Sequence, residues 1–282
     1  YNPHNMLLEM KLLQTRGKES PNSSMVVEVK ESIAHVAFNR PSSLNALDED
    51  LARALGHITE AIGKDPSIRC VVLFGTGDHF MAGGDIRAFS ERLNDGVDRY
   101  MLDLTHDLHD AIIAIRRMRK PVLASVHGAA AGAGFSLAMA CDMVLAADNS
   151  TFTLAYSMLG VSPDGSSTHS LPRLIGYHRA MELVLLSERF GVEKAKEMGL
   201  INIITPADQL DTQTVALAER LAAGPTAAYG RAKVLLNKSL ERGISDQLDA
   251  EAQGIMESSR TEDFKEGVDA FLNKRKPQFT GK

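Results

Sequence analysis

The sequence predicts an α/β fold, and three observations carry that expectation. Short apolar runs alternate with amphipathic stripes from Met25 onward, small-residue turns follow two of those runs, and the last quarter keeps helical periodicity without a further clear strand. With 282 residues, 44% of them apolar, the chain can build one large core with an appended helical piece. The expected organisation is a loose tail over 1–24, a core over 25–205 and a helical region over 206–282.

Ala34, Val36 and Phe38 alternate before the break at Asn39-Arg40-Pro41, which reads as a strand entering a turn. Leu47, Leu51, Leu55, Ile58 and Ile62 form a helical stripe closed by Asp65-Pro66. Val71 to Phe74 is a continuous apolar run, as in a strand covered on both faces, and a glycine-bearing loop over 75–84 follows it. Met101, Leu104, Leu108, Ile112 and Ile115 mark a long helix ended by Lys120-Pro121. Then come a strand over 122–126, a small-residue turn over 128–134, a strand over 143–146 and a loop to about Ser167. Helices over 179–186 and 192–198 and a strand over 201–204 complete the pattern. Beyond Pro206 the leucines at 217, 221, 235, 236, 240 and 248 lie in helical stretches.

Composition narrows the classes. Thirty-one basic against 36 acidic residues give no whole-chain attraction to polyphosphates, so nucleic acid is a poor partner. Only Cys70 and Cys141 are present, each inside an apolar run, as buried free thiols in a reducing cytoplasm would be. No stretch approaches the ~18 uninterrupted apolar residues a membrane span needs, and residues 1–24 carry no apolar region ahead of a cleavage site.

The chemistry-bearing features are two loops, Ala82-Gly83-Gly84-Asp85-Ile86 and Gly128-Ala129-Ala130-Ala131-Gly132-Ala133-Gly134, each after a strand. Side chains this small let a ligand approach the backbone, and free N–H groups there can meet an oxygen that is becoming negative. The same residues also serve tight strand–helix packing. Neither loop has the glycine spacing of a P-loop or a dinucleotide fingerprint, which disfavours ATP and NAD enzymes.

The ordered set Asn39-Arg40-Pro41, Asn45-Ala46-Leu47, His79-Phe80-Met81-Ala82-Gly83-Gly84-Asp85-Ile86, Lys120-Pro121 through His127-Gly128, and Cys141-Asp142 resembles the enoyl-CoA hydratase/isomerase (crotonase) superfamily from Met25 to Lys282. The resemblance implies a crotonase-like spiral of ββα units with a C-terminal helical trimerisation region, assembled as a homotrimer or dimer of trimers. It implies an acyl-CoA substrate, with coenzyme A as part of that substrate and no separate cofactor or metal. By residue matching, the backbone N–H groups of Gly84 and Ala133 would hold the thioester oxygen. Met81, Ala82, Gly83, Asp85, Ile86 and Gly132 would line the substrate, and Lys274 in the basic run Lys274-Arg275-Lys276 would meet phosphates. Met81, Phe89, Tyr156 and Leu159 suggest an apolar acyl cavity.

The acid/base group is less settled. The positions matching the two glutamates of the family's hydratases are Ser136 and Tyr156, and neither hydroxyl is a base at neutral pH. Asp164, in Gly160-Val161-Ser162-Pro163-Asp164-Gly165, reads locally as a Pro-Asp-Gly surface turn. By resemblance it matches the aspartate of dienoyl-CoA isomerase, ring-epoxide isomerase and chlorobenzoyl-CoA dehalogenase, and Leu171-Pro172-Arg173 is most similar to the ring-epoxide isomerases. His109 matches the dehalogenase histidine that activates water, although a helix histidine beside an apolar stripe is commonly structural. Isomerisation through Asp164 therefore ranks first. The alternatives are hydration, hydrolysis with Asp164 as nucleophile and His109 as base, a serine hydrolase using Ser136, and non-catalytic acyl-CoA or RNA binding.

Overall fold

Strand pairing starts where the alternation starts. In the computed structural model, which describes residues 23–282, Met25–Lys30 (β1) and Ile33–Phe38 (β2) form an antiparallel hairpin running from Met25↔Phe38 to Lys30↔Ile33. Its turn, Glu31-Ser32, has both residues at positive φ, the tight geometry that matches strand twist. Apart from Ser23 and Ser24, the tail expected over 1–24 lies outside the described residues.

Glu49–Lys64 (α1) follows, capped by Asp48, whose side chain accepts from Leu51 N. Cys70–Gly75 (β3) then adds parallel to β2. Ile86–Ser90 (α2) and Val97–Arg117 (α3) lead to Val122–Val126 (β4), parallel to β3. Next are Ala129–Ala131 (β5), Ala133–Ala140 (α4), Met143–Ala147 (β6) and Thr151–Thr153 (β7). Ser167–Ile175 (α5), Tyr177–Leu186 (α6), Phe190–Gly191 (β8), Val192–Glu197 (α7) and Ile203–Thr205 (β9) complete the sheets. The rest is helical: Leu210–Ala222 (α8), Thr226–Lys238 (α9), Ile244–Ser259 (α10) and Glu262–Leu272 (α11).

Six strands form the main sheet in the order β1-β2-β3-β4-β6-β9, and β5-β7-β8 form a second, smaller one. One face of the main sheet packs on α1 and α3 through Leu51, Leu55, Ile62, Leu108, Ile112 and Ile115. The other is covered by Ala218 and Ala222 of α8 against Ile33, Cys70, Val72 and Leu123. Helix α8 thus packs as part of the sheet layer although it lies beyond 205. Phe135, Phe152 and Phe190, with ring centroids 5.8–6.2 Å apart, fasten the small sheet to α4.

Two local expectations need correction. The turn expected over 128–134 contains strand β5 and the start of α4: alanine methyls are small enough for a strand in a crowded layer, where Ala130 is fully buried. The loop expected up to Ser167 contains β7, whose three residues are too few to reveal a period.

Lys233 on α9 ties the later helices to the core. Its Nζ donates to the carbonyls of Ile115 and Lys120 and lies 2.7 Å from Asp142 Oδ2. Burial pushes the Asp142 carboxyl up and the Lys233 ammonium down, and their mutual contact opposes both shifts. Among the described residues no helix is long and apolar enough to cross a membrane. Cys70 and Cys141 are buried free thiols, and burial pushes Cys70 up to about 12.

Breaking the Lys233–Asp142 pair from one side leaves a charge with poor hydration. Lys233→Met is therefore expected to lower urea-unfolding stability by about 3–5 kcal/mol, and Asp142→Asn added to it should restore part of the loss. A single-variant cost below about 1 kcal/mol would show that the pair does not anchor α9.

Candidate active site

The first loop is fixed by side chains that hydrogen-bond to backbone. Asn45, fully buried with φ 56°, donates through Nδ2 to Thr76 O (2.9 Å) and His79 O (2.7 Å) and accepts from Arg40 N at 2.8 Å. Arg40 reaches Asp85 Oδ2 at 2.9 Å and Asp48 Oδ2 at 3.0 Å, and also donates to the Ala46 carbonyl. Leu47 N donates to Gly83 O at 2.7 Å, and Asp85 N donates to Leu47 O at 2.9 Å. These two bonds flank Gly84 on one side. In extended chain successive amides point to opposite sides, so the Gly84 N–H faces away from Leu47.

The second loop is laced to the first. Met81 N donates to Ala129 O at 3.0 Å, and Ala131 N donates to Met81 O at 2.9 Å. Gly132, at φ 48° and ψ −117°, turns the chain sharply from β5 into α4, and such a positive φ favours glycine. Ala133 is the first residue of α4, where helical geometry supplies no acceptor for the N–H. Among the described residues neither the Gly84 nor the Ala133 N–H donates to a protein acceptor. The loops are also in van der Waals contact: a Cβ on Gly132 would lie 3.5 Å from Gly83 Cα, and one on Gly134 would lie 2.3 Å from Met81 O.

A carboxylate and several hydroxyls gather beside α4. Tyr156 OH donates to Asp164 Oδ1 at 2.6 Å, and Thr105 Oγ1 donates to Oδ2 at 3.2 Å. Ser136 Oγ lies 3.0 Å from Tyr156 OH and 2.6 Å from Ser167 Oγ, which is 2.8 Å from the Asp164 carbonyl. His109 joins through Nε2, which accepts from Gly165 N at 3.3 Å. Burial and the adjacent Asp164 carboxylate push the Tyr156 phenol well above its ordinary range. Asp164 is half-buried rather than free on a surface turn. Gly165, at φ 58°, lets the turn close on α4, since a Cβ there would stand 2.7 Å from Ser136 Cβ.

The remaining candidate residues fall elsewhere. The Met81 side chain is fully buried in the core, and Leu159 is exposed. The Asp85 carboxylate is committed to Arg40 and to capping α2 through Arg87 N and Ala88 N, which keeps it below the usual carboxylate range despite the opposing effect of burial. Ala82 N donates to Leu44 O, and the Ile86 side chain is half exposed. Lys274 sits on an exposed turn at φ 51°, while Arg275 beside it is paired with Glu266 and Asp269. No group of three or more His, Cys, Asp or Glu that could hold a metal occurs among the described residues. Thr105 and Ser167 escaped the sequence reading. Thr105 lies one helical turn before His109 and so shares its face, a spacing that could have marked it.

A main sheet of hairpin and parallel strands, a small satellite sheet and trailing helices make this a crotonase fold. The enoyl-CoA hydratase/isomerase family matches residues 28–282. The 1,2-epoxyphenylacetyl-CoA isomerase of Escherichia coli K12 is 34% identical over 254 residues, covering 90% of this chain and 97% of the relative. The crotonyl-CoA hydratase of Syntrophomonas wolfei is 32% identical over 260 residues, covering 92% and 98%. The crystal structure of an enoyl-CoA hydratase from Polaromonas sp. JS666 superposes with a TM-score of 0.86 at 33% identity, covering 90% of this chain and 99% of that one. The chain belongs to the enoyl-CoA hydratase/isomerase family.

Gly134→Ala drives a methyl into the Met81 carbonyl, so it is expected to cost about 1–3 kcal/mol by urea unfolding and to depress turnover as the loops separate. Wild-type stability and turnover would contradict the lacing. The unfolded chain releases a tyrosine proton near pH ~10, before folded Tyr156 does. The stability this group contributes is therefore complete below that pH and is lost as pH rises further. Wild type should lose more stability than Tyr156→Phe between about pH 9.5 and 11 in parallel urea titrations. Equal losses would contradict the buried phenol.

Proposed function

We propose that this enzyme isomerises an acyl-CoA thioester by moving a proton along its acyl chain or ring. The observation that carries this reading is the single carboxylate of Asp164, held by Tyr156 and Thr105. The two positions that would bear a hydratase's glutamates carry the hydroxyls of Ser136 and Tyr156. The Gly84 and Ala133 amides would accept charge on the thioester oxygen. Asp164 would take a proton as the substrate C–H bond breaks, the electron pair passing to that oxygen, and would return it at another carbon. Written this way the reaction consumes no water and needs no cofactor beyond the coenzyme A of the substrate.

Hydrolysis with His109 as base is disfavoured by geometry. A neutral imidazole that accepts the Gly165 N–H at Nε2 carries its proton on Nδ1 and has no lone pair left for water. Hydration is supported by relatives' names but lacks the pair of carboxylates. Self-association as a trimer is part of the proposal: the terminal helices expose Ile244, Ile255, Phe271 and Leu272, each more than 70% accessible, and such apolar faces seek a partner. The two buried free thiols suit a reducing compartment such as the cytoplasm.

Asp164→Asn is expected to reduce turnover by about 10²–10⁴-fold, the range of a general acid–base group, while thioester affinity stays close to wild type. Full turnover in that variant on every thioester the wild type accepts would refute the assignment.

A further inference from the structure

We propose that Ser136 is a positioning residue that couples the protonation state of Asp164 to the donor strength of the Ala133 amide. This rests on the reading of Asp164 as the proton carrier and adds a link between it and the oxyanion site.

Ser136 is buried, and its hydroxyl stands between two acceptors that belong to different parts of the site. Tyr156 OH lies 3.0 Å away, and the Gly132 carbonyl, which also accepts from Ser136 N at 3.0 Å, lies 3.1 Å away. Ser167 Oγ lies 2.6 Å from Ser136 and 2.8 Å from the Asp164 carbonyl and has one proton to give. Turned from that carbonyl toward Ser136, it leaves the Ser136 proton for one of the other two. The Tyr156 side leads to the Asp164 carboxylate through the 2.6 Å bond. The Gly132 side leads to the oxyanion site, because the Gly132 carbonyl and the Ala133 N–H are one peptide group. A hydrogen bond onto that carbonyl withdraws density from the nitrogen and makes the N–H a stronger donor.

While Asp164 is ionised, Tyr156 gives its proton wholly to Oδ1. Its own oxygen then becomes electron-rich and draws the Ser136 proton. Once Asp164 has taken the substrate's proton, that pull weakens and the Ser136 proton turns to the Gly132 carbonyl. The Ala133 amide is thereby strengthened at the stage when negative charge rests on the thioester oxygen. No covalent bond to Ser136 is made or broken; its hydroxyl rotates from one hydrogen-bond acceptor to the other.

The test reads the thioester carbonyl directly, by difference infrared spectroscopy of bound crotonyl-CoA carrying ¹³C at that carbon. Asp164→Asn supplies a neutral stand-in for the protonated carboxyl, and Tyr156→Phe removes the competing acceptor. Each is expected to move the carbonyl stretch to lower wavenumber than in wild type, and adding Ser136→Ala to either should abolish the extra shift. A stretch unchanged in both single variants, or a lowering that survives Ser136→Ala, would overturn the coupling. Turnover of Asp164→Asn judges the underlying reading separately: a slow variant whose carbonyl ignores Ser136 defeats only the coupling.

Discussion

The arrangement on which everything else depends is a pair of backbone N–H groups that, among the described residues, are left without acceptors by the way two loops are sewn together. An unpaired donor costs about 1–3 kcal/mol where it is buried, as Ala133 is, while Gly84 is partly buried, so the arrangement persists only where neighbouring interactions fix the chain. Around Gly84 that fixing is dense. Leu47 takes both hydrogen-bonding positions on one side, Asn45 holds the chain on either side of the preceding turn, and Arg40 is pinned between Asp48 and Asp85. Around Ala133 the sharp turn at Gly132 launches a helix whose first amide has no intrahelical acceptor. The Met81–Ala129 and Ala131–Met81 bonds then hold the two loops that carry these amides together.

Asp164 lies beside α4 near Ser136, and its surroundings differ from those of a bare surface aspartate. Hydroxyls of Tyr156 and Thr105 reach its two oxygens, while Ser167 Oγ lies between its carbonyl and Ser136 Oγ. Hydroxyl groups can orient a carboxylate without competing for its proton at neutral pH. The site therefore offers one carboxylate, and in the proposed reaction a single carrier suits chemistry that returns the proton it removes. His109, bonded to the next backbone amide, supports the same turn instead of presenting a free base.

Much of the architecture was legible because burial writes periodicity into sequence. The strand over 122–126 and the stripes of α1 from Leu51 and of α3 appear where a continuous apolar run and helical spacing place them. Leu47, first of the expected α1 stripe, instead precedes the helix and bridges to Gly84. β5 and β7 were not legible, since three alanines and Thr-Phe-Thr carry no period, and their pairing is set by the loops they lace. In the site, Asn45 was visible only as part of a motif; its role depends on backbone carbonyls of Thr76 and His79, far along the chain. Ser167 was invisible, and Thr105 was marked only by its spacing from His109, for a related reason: small hydroxyls are common, and their meaning comes from which carboxylate the fold brings to them. Met81 shows the reverse error, because a residue in the right motif can contribute its backbone to the site and its side chain to the core.

The central claim is that this site makes a thioester's neighbouring carbon acidic and removes its proton. Incubating the enzyme in deuterium oxide with straight-chain and arylacetyl CoA thioesters, and following the hydrogens beside the carbonyl by proton NMR, tests it most directly. The account predicts enzyme-dependent replacement of those hydrogens by deuterium in at least one bound thioester. Thioesters that bind tightly yet keep every such hydrogen would contradict it.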